Sequence, residues 1–156
     1  MKIILTGKSN KITKKEVRYI LNWAGGRLMS DRLLQNIEVN VSFKNLETKE
    51  CGFCWPEDFG ERTHRFFRIE VNTAKTRRNQ MRTLLHEMVH VKQYAKGELR
   101  EDMRSSQLSR WLGELHKDDD YDYWELPWEI EAYGREEGLY RMYTRHKKLE
   151  KVAFSE

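Results

Sequence analysis

Apolar positions recur along the chain with two different periods, and the changes of period outline its elements. Ile37, Val39, Val41 and Phe43 alternate with Glu38, Asn40 and Ser42, which predicts a half-buried strand over residues 36–43. Phe67, Ile69 and Val71 alternate with Phe66, Arg68, Glu70 and Asn72, which predicts a second strand over 65–72. That strand is either exposed at one edge, where it could pair with an extended peptide, or an ordinary internal strand. Residues 2–5 suit a short first strand closed by Thr6 and Gly7. Helical spacing governs Val17, Ile20, Leu21 and Ala24, behind a capping box from Thr13 to Glu16. Gly25 and Gly26 predict an end or a weak point in that helix.

A second helix carries Met81, Leu84, Leu85 and Met88 as its apolar stripe, with Thr73 or Thr76 as cap and Gly97 as terminator. Pro127 opens a third, covered by Trp128, Ile130, Ala132, Tyr133, Leu139, Tyr140, Met142 and Tyr143. Gly134 and Gly138 would either let another backbone approach it closely or be simply tolerated at a surface. Residues 44–60 read as turn-rich and irregular. Residues 99–123 are the least periodic, with 107–113 a short strand or turn and Asp118–Tyr123 an acidic, solvated loop for which binding of calcium or a second metal is the lesser reading.

The pattern predicts an α+β fold: a small mixed or antiparallel sheet packed on a scaffold helix, then two further helices. A length of 156 residues suits a single domain over 1–156. Its parts are an N-terminal strand and scaffold helix in 1–35, the sheet and central helix in 36–98, a loop and last helix in 99–148, and a tail in 149–156.

Composition narrows the function classes. Charged residues make 35% of the chain and hydrophobic ones 38%, so five Trp, seven Tyr and six Phe must supply much of a thin core. The first 78 residues hold 16 Lys/Arg against 9 Asp/Glu, and the remainder 13 against 16. A basic half allows a nucleic-acid partner, although no dense basic cluster stands out and a solvated surface is the simpler reading. No apolar run approaches the roughly 20 residues of a membrane helix. The start is too short in apolar residues for a secretion signal, so a cytoplasmic protein is expected. Cys51 and Cys54 form a Cys-x-x-Cys without a second pair, with His64 the sole histidine nearby, and read as reduced thiols.

The central helix carries a second, polar stripe: Asn79, Thr83, His86, His90 and Gln93. Histidines on a polar stripe suit a face turned toward a cleft rather than toward a core. His86-Glu87-Met88-Val89-His90 is the pattern His-Glu-x-x-His, whose histidines stack one turn apart and can reach one metal ion. Glu87 would stand beside the open coordination position as general base. A catalytic zinc takes three protein ligands. His116 and His146 could supply the third, but Glu129 and Glu131, at the start of the last helix, are better placed.

The pairing of His86–His90 with Glu129-Ile130-Glu131-Ala132 resembles the gluzincin metallopeptidases. In those zincins a Glu on a second, "glutamate" helix is the third ligand, often with a small residue three positions later. The resemblance implies Glu129, followed by Ala132, with Glu131, followed by Gly134, as the alternative. Trp128 and Tyr133 stand where thermolysin-like members carry Asn and Asp. The order of elements is similar to the smallest single-domain zincins, among them phage-borne and SprT-like metalloproteases, although SprT-like members are completed by a third His.

What the resemblance implies is a minimal zincin-like fold with one catalytic Zn2+. The activity would be hydrolysis of a protein or peptide substrate, with Glu87 moving the proton. The oxyanion would need a further donor, from among Tyr121, Tyr123, Tyr133, His116 and Arg135. The rival expectations are a non-catalytic zincin-fold binding module, with nucleic acid as its partner, and a mobile-element factor acting on one cognate protein.

Overall fold

Thr13 starts the first helix as the pattern requires: its side chain accepts from the Glu16 amide, and Glu16 accepts from the Thr13 amide. In the computed structural model, which describes residues 1–102, 105 and 107–153, this helix (α1, Lys14–Leu28) follows a first strand (β1, Lys2–Gly7). Gly25 and Gly26 do not interrupt α1, contrary to expectation. A Cβ on Gly25 would come within 2.7 Å of the Leu34 side chain, so this glycine serves close packing inside a continuous helix. Leu34 belongs to a single-turn helix, α2 (Asp31–Leu34), capped by Ser30.

Three further strands complete a four-stranded sheet: β2 (Glu38–Lys44), β3 (Gly52–Pro56) and β4 (Phe66–Asn72). Their spatial order is β1-β2-β4-β3. The first two pairings are parallel and the β4–β3 pairing is antiparallel, so the sheet is mixed. Val39, Val41, Phe43, Phe67, Ile69 and Val71 are buried together with Val17, Ile20, Leu21 and Ala24 of α1. The alternation read from the sequence is therefore the division between helix-covered and opposite faces.

The 65–72 strand is an internal strand, because β4 is paired on both sides, which settles the open choice between a free edge and an ordinary internal strand. The edges are β1 and β3, and β3 lies within the stretch expected to be irregular, so that expectation fails.

The central helix, α3 (Arg77–Lys96), is capped by Thr76 and ends at Gly97, whose φ of 71° permits the left-handed exit. A small antiparallel sheet follows: β5 (Leu99–Glu101), β6 (Leu108–Trp111) and β7 (Glu114–Lys117). Leu112 and Gly113, at φ 50° and 92°, join β6 to β7 in a two-residue turn. The acidic run forms a 3-10 turn, Asp118–Asp120, in which Asp118 accepts from the Ser109 hydroxyl.

The last helix, α4 (Pro127–Ala153), begins at Pro127 and continues well into the stretch expected to be a tail; residues 154–156 of that expectation lie outside the described residues. A Cβ at Gly134 or Gly138 would meet nothing within 4 Å, so neither glycine marks a close helix contact. Among the described residues, no helix is long and apolar enough to cross a membrane.

Candidate metal centre

The floor of the site is α3. Its two apolar-side neighbours, α1 and the sheet, bury Leu84, Leu85 and Met88, which turns Asn79, Thr83, His86 and His90 toward a cavity of about 680 Å³. α4 crosses this face and buries Glu129, Ala132 and Glu136 against it. These three positions, spaced i, i+3 and i+7, form one stripe. Ala132, fully buried, lets the two helices come close enough for the carboxylates on either side of it to reach the histidines.

His86, His90 and Glu129 are the one group of three or more ligand-type side chains that converges among the described residues. His86 Nε2 lies 3.1 Å from His90 Nε2 and 3.4 Å from Glu129 Oε2, and His90 Nε2 lies 3.3 Å from Glu129 Oε1. Donors bonded to a tetrahedral ion at about 2.0–2.1 Å stand about 3.3–3.4 Å apart. The three atoms thus already occupy a triangle of the right size for one ion. Two imidazole nitrogens and a carboxylate oxygen are also a donor set that suits zinc.

The outer nitrogens are held as well. His86 Nδ1 is 3.2 Å from Glu136 Oε2, and Glu136 also accepts from Arg82. His90 Nδ1 is 2.8 Å from Gln93 Oε1. The Gln93 amide nitrogen donates to the Trp128 carbonyl and to Glu131, each at 2.9 Å, so its oxygen must face His90. Acceptors on both Nδ1 atoms hold a proton there, so that loss of a proton from either imidazolium frees the Nε2 lone pair that faces the centre.

Glu131 lies outside the cluster. Its carboxylate receives Lys92 at 2.6 Å, Gln93 at 2.9 Å and Arg135 at 2.7 Å. Burial pushes its carboxyl up, but these donors outweigh burial and hold it at about 2. The other candidates are also engaged elsewhere: His146 contacts Tyr19, and His116 contacts Tyr121 at 3.1 Å.

Electrostatics follow from the geometry. Burial alone would depress His86, but Glu129, Glu136 and Glu87 outweigh it and raise the imidazole to about 9. His90 is raised by the same contest between burial and Glu129. Burial raises Glu129, yet the two histidines outweigh it and hold its carboxyl at about 2. Glu87 is pushed up, mainly by burial and partly against the pull of His90 and His86.

Of the five oxyanion candidates, Tyr123 and Tyr133 line the cavity; Tyr121, His116 and Arg135 do not. Tyr123 donates to Glu129 Oε2 at 2.9 Å, and the Tyr133 ring lies 4.4 Å from that of His86. Cys51 and Cys54 are free thiols on the opposite wall. Burial, with Glu87 nearby, pushes the Cys54 thiol well above its ordinary value, which keeps it protonated.

That opposite wall is β3. Asn72 donates to the Cys51 carbonyl and Glu57 to the Phe66 carbonyl, both at 2.8 Å. With Gly52 opposite Val71, the odd-numbered residues of β3 bond inward to β4. The amides and carbonyls of Gly52 and Cys54 are left for the free edge, beside the cavity.

Sequence reasoning missed Glu136, Arg82 and this edge. The spacing of Glu136, seven residues after Glu129, was the signal available for the first. Comparisons with protein-family models, with curated proteins and with solved structures find no match for the chain.

Proposed function

We propose that the chain is a zinc-dependent metallopeptidase that hydrolyses peptide bonds with Glu87 as general base. The observation that carries this reading is the triangle of His86 Nε2, His90 Nε2 and the Glu129 carboxylate, at metal-binding spacing on the floor of a cleft that Glu87 also lines. A bound zinc would polarise the scissile carbonyl and acidify the attacking water. Glu87 takes the proton of that water and returns it to the leaving amine. Its burial favours such a shuttle, because a carboxyl with a raised pKa holds the proton between the two transfers.

Tyr133 is the hydroxyl donor available to the oxyanion, because the Tyr123 hydroxyl already donates to Glu129. An extended substrate is held by main-chain bonds to Gly52 and Cys54 on the edge of β3.

The test is Glu87→Gln. The variant should bind zinc as the parent does and lose peptide cleavage, read by mass spectrometry on a peptide mixture. Cleavage that survives this substitution would sink the mechanism.

A further inference from the structure

Four aromatic side chains around the cleft stay open to solvent: Trp124 at 67%, Tyr123 at 50%, Phe53 at 42% and Tyr133 at 38% of full exposure. Three of them form one continuous wall. The Trp124 and Tyr133 rings lie 4.8 Å apart, Tyr123 and Trp124 5.6 Å, and Tyr123 and Tyr133 6.5 Å. Tyr133 also packs against His86, so the wall begins at the metal cluster and runs outward. Phe53 faces the same cavity from β3.

The charges beside this wall are already matched. Arg82 is paired with Glu136 and Glu137, and Arg135 with Glu131. These paired groups beside the rings leave the ring faces themselves to hold an apolar side chain, while Lys49 and Glu50 line the same cavity away from them on the β3 side. Exposed rings of this extent, continuous with a cleft, mark a contact surface rather than a chance exposure.

We propose that the wall of Tyr123, Trp124 and Tyr133 selects peptides with a large apolar side chain, best an aromatic one, next to the scissile bond. The inference rests on the peptidase reading above. It supplies a substrate class: a segment extended along the β3 edge, with an aromatic residue laid on Trp124.

The zinc-loaded full chain is given a mixture of peptides, with Glu87→Gln as control, and the cut bonds are mapped. Cuts should be flanked on one fixed side by Phe, Tyr, Trp or Leu. The kcat/KM of an aromatic peptide should exceed that of its alanine counterpart by roughly three- to tenfold, the range of one aromatic contact. Trp124→Ala should bring that ratio toward one, and Trp124→Phe should preserve it. A second readout needs no turnover: zinc-loaded Glu87→Gln should bind the aromatic peptide more tightly by the same factor, and lose the preference when Trp124→Ala is added.

Cleavage that depends on Glu87 but shows no residue preference, or a preference untouched by Trp124→Ala, overturns the inference and leaves the peptidase reading standing. Aromatic-selective binding by the Glu87→Gln chain, with no cleavage by the parent, supports the surface and overturns the peptidase reading. Binding of oligosaccharides in place of peptides overturns both.

Discussion

Glu136 Oε2 lies 3.2 Å from His86 Nδ1, while the other oxygen of the same carboxylate accepts from Arg82. One buried side chain on α4 therefore fixes the orientation of a histidine on α3 and is itself fixed by an arginine one turn before that histidine. Acceptors of this kind typically contribute 10–100-fold to metal affinity. Glu136→Ala should weaken zinc binding by roughly that factor, measured by competition with a chromophoric chelator. Unchanged affinity would show that His86 needs no such support.

Glu129 and Glu131 should separate cleanly. Glu129 closes the donor triangle, whereas Glu131 acts on His90 only through Gln93. Glu129→Ala should abolish stoichiometric zinc at micromolar concentrations. Glu131→Ala should keep one equivalent, with a smaller loss of affinity. The reverse pattern in metal analysis would reassign the third ligand.

The pH dependence has opposite signs with and without metal. In the metal-free chain His86 is raised from 6.5 to about 9, so its contribution to stability is fully present below pH 6.5 and is lost as pH rises through about 9. Glu129 is lowered from 4.5 to about 2, so its contribution is present above pH 4.5 and is lost as pH falls through about 2. Zinc must displace the proton from His86, so zinc affinity should climb with pH up to about 9. Thermal melts in chelator should therefore decline over pH 6.5–9 while the zinc-induced rise in melting temperature grows. Parallel curves would contradict the charged triad.

Gly52 is a packing site as well as an edge site. A Cβ there would come within 2.4 Å of the Glu70 carbonyl oxygen and 2.5 Å of Thr83 Cγ2. Gly52→Ala should therefore push β3 away from β4 and α3 and cost about 1–3 kcal/mol in denaturant unfolding. A neutral result would mean that the strand can shift without loss.

Much of the site could be read from the chain because its signals are local. His86, Glu87 and His90 sit within five residues, and the polar stripe they share with Asn79 and Thr83 does face the cleft. The parts that could not be read depend on distant partners. Glu129 and Glu131 look alike in sequence, and only Lys92, Gln93 and Arg135 mark Glu131 as engaged elsewhere. β3 was hidden because Gly52, Cys54 and Pro56 carry no clear alternation, and its existence rests on pairing with β4. The turn at Leu112–Gly113 places a leucine in the left-handed region, where Asn or Asp would have announced a hairpin. Gly25 misled for a related reason: a helix breaker by propensity was retained for the room it leaves Leu34.

The division of labour between α3 and α4 has a consequence for how the molecule comes into being. Up to residue 126 the growing chain holds both histidines but lacks Glu129, the Glu136 acceptor, and the Trp128 carbonyl and Glu131 that turn Gln93 toward His90. A nascent polypeptide at that stage carries two of the three donors and lacks the groups of α4 that hold their outer nitrogens. Docking of the final helix is thus the event that arms the centre, and a cleaving activity of the proposed kind would stay silent toward its surroundings until synthesis of that helix is complete.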